Sequence, residues 1–325
     1  MNYIKSNIVE KIYESVNNKP LPDSTNPATD YLYSLSPDAP QELWSRVPIL
    51  NSQYKLPKWG VEVAKLLSSK FPIYLYGPSG TGKSTLVRWI SSVFSLPLYE
   101  ITAHGRLESV DLIGSYQLKD GKTFWQDGPL TLAMRHGGVF LINEVSLLDP
   151  STTTGLNTIL DGQPLVITET SEVIVPHDAF YFIATDNTNG QAEELIFSGT
   201  LIQNQAFMGR FLLKEASYIE RDQEALILKA YAPALPDASI DQMIAYASHT
   251  RAATINSQSP LTNPMTPRDC IKWAKLITLY TPLAKQLFKA GRNVLEYTLQ
   301  IAYLNRLNKG DKLIAEELWH AIFGG

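Results

Sequence analysis

The sequence predicts an α/β domain built on a parallel sheet, preceded by a short arm and followed by an all-helical domain. Three observations predict it. Short apolar runs bounded by turn residues alternate with helical segments from about Trp44 to Tyr218. A glycine-rich stretch, Gly77-Pro78-Ser79-Gly80-Thr81-Gly82-Lys83-Ser84, joins one such run to one such helix. After Glu220 the strand pattern stops and helical patterns alone remain. Buried strands that alternate with helices pair in parallel and are covered on both faces.

Taken in order, residues 1–45 read as an arm or linker. An amphipathic stretch with Ile4, Ile8 and Ile12 leads into NNKPLPDSTNPATDYLYSLSPDAP, rich in Asn, Ser and Pro. That composition suits an extended segment, draped over the surface or packed on something else. Residues 46–220 form the α/β domain, with strands expected at 73–76, 98–101, 139–142, 180–184 and 211–217 and helices at 83–94, 130–135 and 151–160. Two further pieces read as hairpins: 112–118 with 123–126 around Asp120-Gly121, and 165–168 with 172–175. Residues 221–325 form the helical domain, with helices near 222–231, 240–255, 267–280, 283–307 and 315–323. Two of their starts carry capping signals: Ser239 with Gln242, and Thr266-Pro267 with Asp269.

Composition narrows the function classes. An apolar share of 44% with 18% charged residues is that of a globular protein. No apolar run is long enough to cross a bilayer, and MNYIKSNIVEKIYESV mixes Lys and Glu through its hydrophobics, unlike a signal peptide. One cysteine, Cys270, leaves no intramolecular disulfide and fits a reducing cytoplasm, the expected location. The five histidines are scattered, so no zinc site is expected. A net charge of −4 argues against broad nucleic-acid binding, although a local basic groove would survive that argument.

The chemistry sits on four motifs. The glycine-rich stretch follows FPIYLY and precedes KSTLVRWISSVF, the strand-to-helix context of a phosphate-binding loop. Gly77, Gly80 and Gly82, with Pro78, Ser79 and Thr81 between them, let backbone N–H groups face an anion at a helix N-terminus. Lys83 reaches the terminal phosphates of ATP, and the Ser84 hydroxyl, followed by Thr85, is placed for Mg²⁺. The plain alternative is a glycine-rich turn with a chance Lys-Ser. Val139-Phe140-Leu141-Ile142 then runs into Asn143-Glu144. Glu144 is the candidate general base for an attacking water. Asn143 stands where a metal-side aspartate is usual; it keeps an oxygen for a metal-bound water and lacks the charge, so Mg²⁺ should bind more weakly. Asn187, after the strand ending at Thr185, is the candidate to hold the water opposite Glu144, or an ordinary turn former. Arg210 is the candidate arginine finger and Arg268 a reporter of nucleotide state; both are also residues that commonly decorate surfaces.

Together these residues resemble the AAA+ superfamily, specifically its MoxR branch and the CobS-like proteins, the ATPase subunits of aerobic cobaltochelatase. The resemblance runs from about Val47 to the C-terminus. It rests on GPSGTGKST, ESVDLIGSYQLKDGKTFWQDGPLTLAMRHGG, VFLINEVSLLDPS, FYFIATDNTNG, SGTLIQNQAFMGRF, MTPRDCIKWA and AEELWHAIFGG. It implies a five-stranded nucleotide-binding domain with a helical lid, assembling as a ring of six. It makes Asn187 sensor 1, Arg268 sensor 2 and Arg210 the finger reaching a neighbouring copy. The two hairpins become the helix-2 insert and the pre-sensor-1 hairpin. It also implies a protein partner carrying a von Willebrand factor A domain. Gly209 departs from the family, which tends to carry Asp before the arginine, and the arm has no clear counterpart.

Four functions compete at this point: an ATP-driven ring that remodels a protein, the energy-coupling subunit of a cobalt-inserting chelatase, a nucleotide-gated scaffold that barely turns over, and a nucleic-acid motor or defence ATPase.

Overall fold

The computed structural model describes residues 2–17, 31–190, 204–255, 261–289, 291 and 293–324. Most of the Pro- and Asn-rich part of the expected arm, and the first half of SGTLIQNQAFMGRF, lie outside the described residues. The chain divides into two compact units: residues 1–52, 56–78 and 82–217, and residues 53–55, 79–81 and 218–325.

The first unit begins with β1 (Tyr3–Asn7), α1 (Ile8–Asn17), β2 (Tyr31–Leu35) and α2 (Gln41–Trp44). Here the expectation of an extended arm is corrected. β1 and β2 pair antiparallel, with Tyr3 opposite Leu35 and Asn7 opposite Tyr31. Ser6 and Ser34 share a buried hydroxyl contact of 2.8 Å, and Ile8 and Leu32 are fully buried. Ile4 is half exposed, whereas Tyr3 on β1 and Ile8 and Ile12 on α1 are buried, so the buried side chains do not follow a single Ile4-Ile8-Ile12 stripe. Burying each such side chain contributes ~1.5–3 kcal/mol, enough to dock a short strand and helix that would not persist alone.

The rest of the unit runs α3 (Lys58–Ser68), β3 (Ile73–Tyr76), α4 (Lys83–Val93), β4 (Leu98–Thr102), α5 (Ser109–Ile113), β5 (Gly114–Lys119), β6 (Lys122–Asp127), α6 (Pro129–His136), β7 (Gly138–Asn143), α7 (Pro150–Leu160), β8 (Leu165–Ile167), β9 (Glu172–Ile174), β10 (Phe180–Thr185), α8 (Gln205–Met208) and β11 (Leu212–Glu215). Five strands form one parallel sheet in the order β11-β3-β10-β7-β4. Every residue of β7 is buried, as a strand covered on both faces must be. One face packs Phe140, Ile142, Phe182 and Ala184 against α6 and α7 through Leu130, Met134, Leu156 and Ile159. β3 starts the sheet and is flanked by β10 and β11, so the chain leaves it to one side and later returns to the other. A crevice at the carboxyl ends of the strands opens where the order reverses in this way.

Both expected hairpins are present, β5 with β6 and β8 with β9, each antiparallel. Leu112 belongs instead to α5, ahead of the first hairpin. Arg135 on α6 ties them together, bonding Asp127 at 3.0 Å and both oxygens of Glu172 at 2.5 and 3.0 Å. The Glu172 bond holds the Arg135 guanidinium above its usual range, and the Glu172 carboxyl correspondingly below its own.

The second unit holds α9 (Arg221–Tyr231), α10 (Asp237–Ala252), α11 (Pro267–Tyr280), α12 (Ala284–Lys289), α13 (Val294–Ala302) and α14 (Lys309–Phe323). Its core gathers Tyr246, Trp273, Tyr303 and Trp319. Each polar tip among them is satisfied where a bond is seen: Tyr246 Oη donates to Ala315 O at 2.9 Å, Tyr303 Oη to Asn263 O at 2.7 Å and Trp273 Nε1 to Leu295 O at 3.1 Å. Thr266 caps α11 in a capping box with Asp269, with Pro267 at the first helical position. The other expected cap fails. α10 begins at Asp237 after Pro236, whose carbonyl accepts from Ser239 N at 3.0 Å, so Ser239 lies inside the first turn. The single helix expected over 283–307 is also corrected. Gly291 takes φ +70° and Asn293 caps a fresh start by accepting from Leu295 N at 2.8 Å, which separates α12 from α13.

Candidate active site

The loop after β3 is shaped by its glycines. Gly77, Gly80 and Gly82 take φ of +136°, +79° and +93°. At Gly77 the demand is also steric: a Cβ would lie 2.4 Å from the carbonyl oxygen of Ala216, just beyond β11. Ala216 N donates to Tyr76 O at 2.7 Å, so that backbone cannot move away. Gly82, left-handed, is the N-cap of α4, and Lys83 is its first residue. The helix thus opens with unsatisfied N–H groups and a positive dipole end beside the loop, an arrangement suited to phosphate.

Lys83 is buried, 8% exposed, with its ammonium fully engaged. It donates to Gly77 O at 2.6 Å, Pro78 O at 3.1 Å and Asn187 Oδ1 at 3.2 Å. A Lys ammonium has three donors, and a buried cation without partners would be costly. Asn187 in turn donates through Nδ2 to Glu144 Oε2 at 3.1 Å. Lys83, Asn187 and Glu144 therefore form a chain across the ends of β3, β10 and β7.

Glu144 follows β7 in the left-handed region, φ 55° and ψ 44°. A residue with a Cβ is held there at a cost of ~1–2 kcal/mol, which places its carboxylate where a relaxed backbone would not. Asn187 is fixed by its neighbour. Asp186, 1% exposed, accepts from the backbone N–H of Ser146, Asn187 and Thr188 at 2.6, 2.7 and 3.3 Å. That carboxylate locks the loop after β10 to the turn after β7.

Asn143, the last residue of β7, is buried at 6% exposure. Its Oδ1 accepts from Ser84 Oγ at 2.5 Å and Thr185 Oγ1 at 2.8 Å. Its Nδ2 donates to Glu100 Oε1 at 2.7 Å. Glu100 on β4 is gripped by Arg88 of α4, Nε to Oε2 at 2.8 Å and Nη2 to Oε1 at 2.5 Å.

Residues 72–199 match the AAA domain family of the dynein-related subfamily. An uncharacterized protein of Staphylococcus haemolyticus is 30% identical over 192 residues, 57% of this chain and 70% of that protein. The chain belongs to the AAA+ ATPases. Within them it is similar to CobS-like proteins: the aerobic cobaltochelatase subunit CobS of a Sinorhizobium species is 26% identical over 263 residues, covering 78% of this chain and 75% of CobS. It also matches Midasin of Giardia intestinalis, 26% identical over 236 residues, but those span 70% of this chain and only 5% of that far longer protein.

For an AAA+ ATPase the remaining candidates divide by position. Gly77, Lys83, Ser84, Asn143, Glu144 and Asn187 converge at the carboxyl ends of the sheet. Thr85, half-buried, continues α4. Arg210 is not with them. It precedes β11, whose Leu212 pairs with Ile73 at the start of β3, so it lies at the opposite end of the strands. There its Nε bonds the Asp161 carboxylate at 3.0 Å and its Nη1 donates to Ala206 O. Arg268 is the second residue of α11 in the other unit and is exposed. Sequence reasoning missed Asp186, Thr185, Glu100 and Arg88. Asp186 left a signal, since an acid directly after a buried strand suits backbone capping. Glu100 and Arg88 left none.

Among the described residues no helix is long and apolar enough to cross a membrane.

Proposed function

We propose that this ATPase binds ATP with Mg²⁺, assembles as a ring of six, and uses hydrolysis to remodel a protein partner bearing a von Willebrand factor A domain. The observation that carries the reading is the Lys83–Asn187–Glu144 chain, which lays a cation, an amide and a carboxylate side by side. Hydrolysis of a phosphoanhydride asks for those three roles.

In this reading residues Gly77 to Thr85 wrap the phosphates, and Lys83 turns its ammonium to the terminal phosphate oxygens. Glu144 accepts the proton of the attacking water, and Asn187 orients that water by sharing the Glu144 oxygen. Ser84 Oγ and Asn143 Oδ1 are hard oxygen donors 2.5 Å apart, a set that fits Mg²⁺ rather than a softer metal. When bound, the ion would neutralise phosphate charge. Arg210 is too far along the sheet to serve its own site, which supports a role at the site of a neighbouring copy, after release from Asp161. Arg268 would report nucleotide state to the helical unit.

The test is the Glu144→Gln variant with ATP. Native mass spectrometry should find a six-membered ring, and affinity capture from the source cells should retain a protein with the expected domain. A chain that stays monomeric at micromolar concentration with ATP bound would remove the ring. Similarity to CobS across three quarters of both chains favours a second, narrower reading, the energy-coupling subunit of a metal chelatase. Co-capture of a large chelatase subunit would select it.

A further inference from the structure

We infer that Glu100 is a positioning residue of the ATPase site: it aims the Asn143 amide so that the amide oxygen faces Ser84. The inference rests on the proposed metal side of the site and deepens it.

An ionised carboxylate can only accept hydrogen bonds, so the face of Asn143 that meets Glu100 at 2.7 Å must be its nitrogen. The oxygen is then forced toward Ser84 and Thr185, whose hydroxyls donate to it. Without Glu100, both hydroxyls could instead accept from the amide nitrogen, and the side chain would have no reason to present oxygen at Ser84. Glu100 is held in turn. Arg88 lies four residues after Ser84 on α4, hence on the same helix face, and clamps Glu100 through two bonds. Ser84, Asn143, Glu100 and Arg88 thus close a ring of contacts that leaves α4, crosses β7 and β4, and returns to α4.

The consequence reverses the simple expectation for Asn143. Placing an aspartate there does not complete the site, because its second oxygen would meet the Glu100 oxygen at the distance now bridged by an N–H. Like charges at such range disfavour each other strongly. The aspartate becomes acceptable only when position 100 can donate, as glutamine does.

A double-mutant cycle on nucleotide-free protein tests this without reference to catalysis. Asn143→Asp should lower the melting temperature by about 3–6 °C, and Asn143→Asp with Glu100→Gln should recover most of that loss. Because no nucleotide or metal is present, this arm judges the pair even if the functional reading fails. A second arm titrates Mn²⁺ into the ADP complex. Glu100→Ala should weaken Mn²⁺ about 10-fold or more while ADP affinity in EDTA stays within twofold, as removal of a residue that orients a metal ligand does. The inference is overturned if Asn143→Asp alone is as stable as the wild type, or if Glu100→Ala leaves Mn²⁺ affinity unchanged. Failure of the wild type to bind ADP in EDTA would instead count against the functional reading.

Discussion

The two sides of the proposed ATPase site are built by different means. The phosphate side is backbone: consecutive residues, three of them glycines at positive φ, ending on the first turn of α4. The Asn143 side is side chains alone, drawn from α4, β4, β7 and β10 across sequence separations of 42 to 59 residues. The first is specified by local geometry and tolerates few substitutions at any glycine. The second is specified by strand register, and there a residue's role depends on what faces it. An asparagine at position 143 reads as a defect when seen alone. Beside Glu100 it reads as one half of a pair.

The largest expected effect falls where the two sides meet. Glu144→Gln should reduce kcat about 10²–10⁴-fold and leave ATP affinity nearly intact, since it removes a proton acceptor and keeps the shape. Stopped-flow binding and steady-state turnover on one preparation would check the split, and an equal loss in both would place Glu144 in binding. Lys83→Ala removes a buried ammonium that also holds Gly77 O and Pro78 O, so ATP affinity measured by calorimetry should fall about 10²–10³-fold. Gly77→Ala probes the backbone side alone. Its Cβ has no room against Ala216 O, and denaturant unfolding should show a loss of roughly 2–4 kcal/mol. Survival of that variant at wild-type stability would break the claim that the loop is sterically fixed. Thr185→Val, on the side-chain side, removes one of two hydroxyls given to Asn143 Oδ1. It should cost only ~1 kcal/mol, because Ser84 still satisfies that oxygen.

The contrast also explains what the amino-acid sequence reveals. The five strands of the main sheet, the glycine-rich turn into α4, and the placement of Glu144 and Asn187 after strands are legible because each rests on a short spacing: an apolar run, a glycine interval, a polar residue at a strand end. The pairing of Thr266 with Asp269 is legible for the same reason, whereas Ser239 and Gln242 mimic it inside a helix already begun at Asp237. Glu100 is illegible, since on β4 it is one more polar residue. Only the β4–β7 register, with Thr102 opposite Asn143, brings it to the amide. The arm misleads for a related reason. Its Pro- and Asn-rich stretch hides that β1 and β2, on either side of it, pair with each other.

The proposal that one copy completes the site of the next in a ring is tested most directly by mixing two inactive variants. Glu144→Gln lacks the base, and Arg210→Ala lacks the finger. In a mixed ring, a site with intact Glu144 can face a neighbour with intact Arg210. We expect ATPase activity in the mixture well above either variant alone, rising as subunits exchange. A mixture that is no more active than the average of its parents, in rings shown by mass to contain both, would contradict the account.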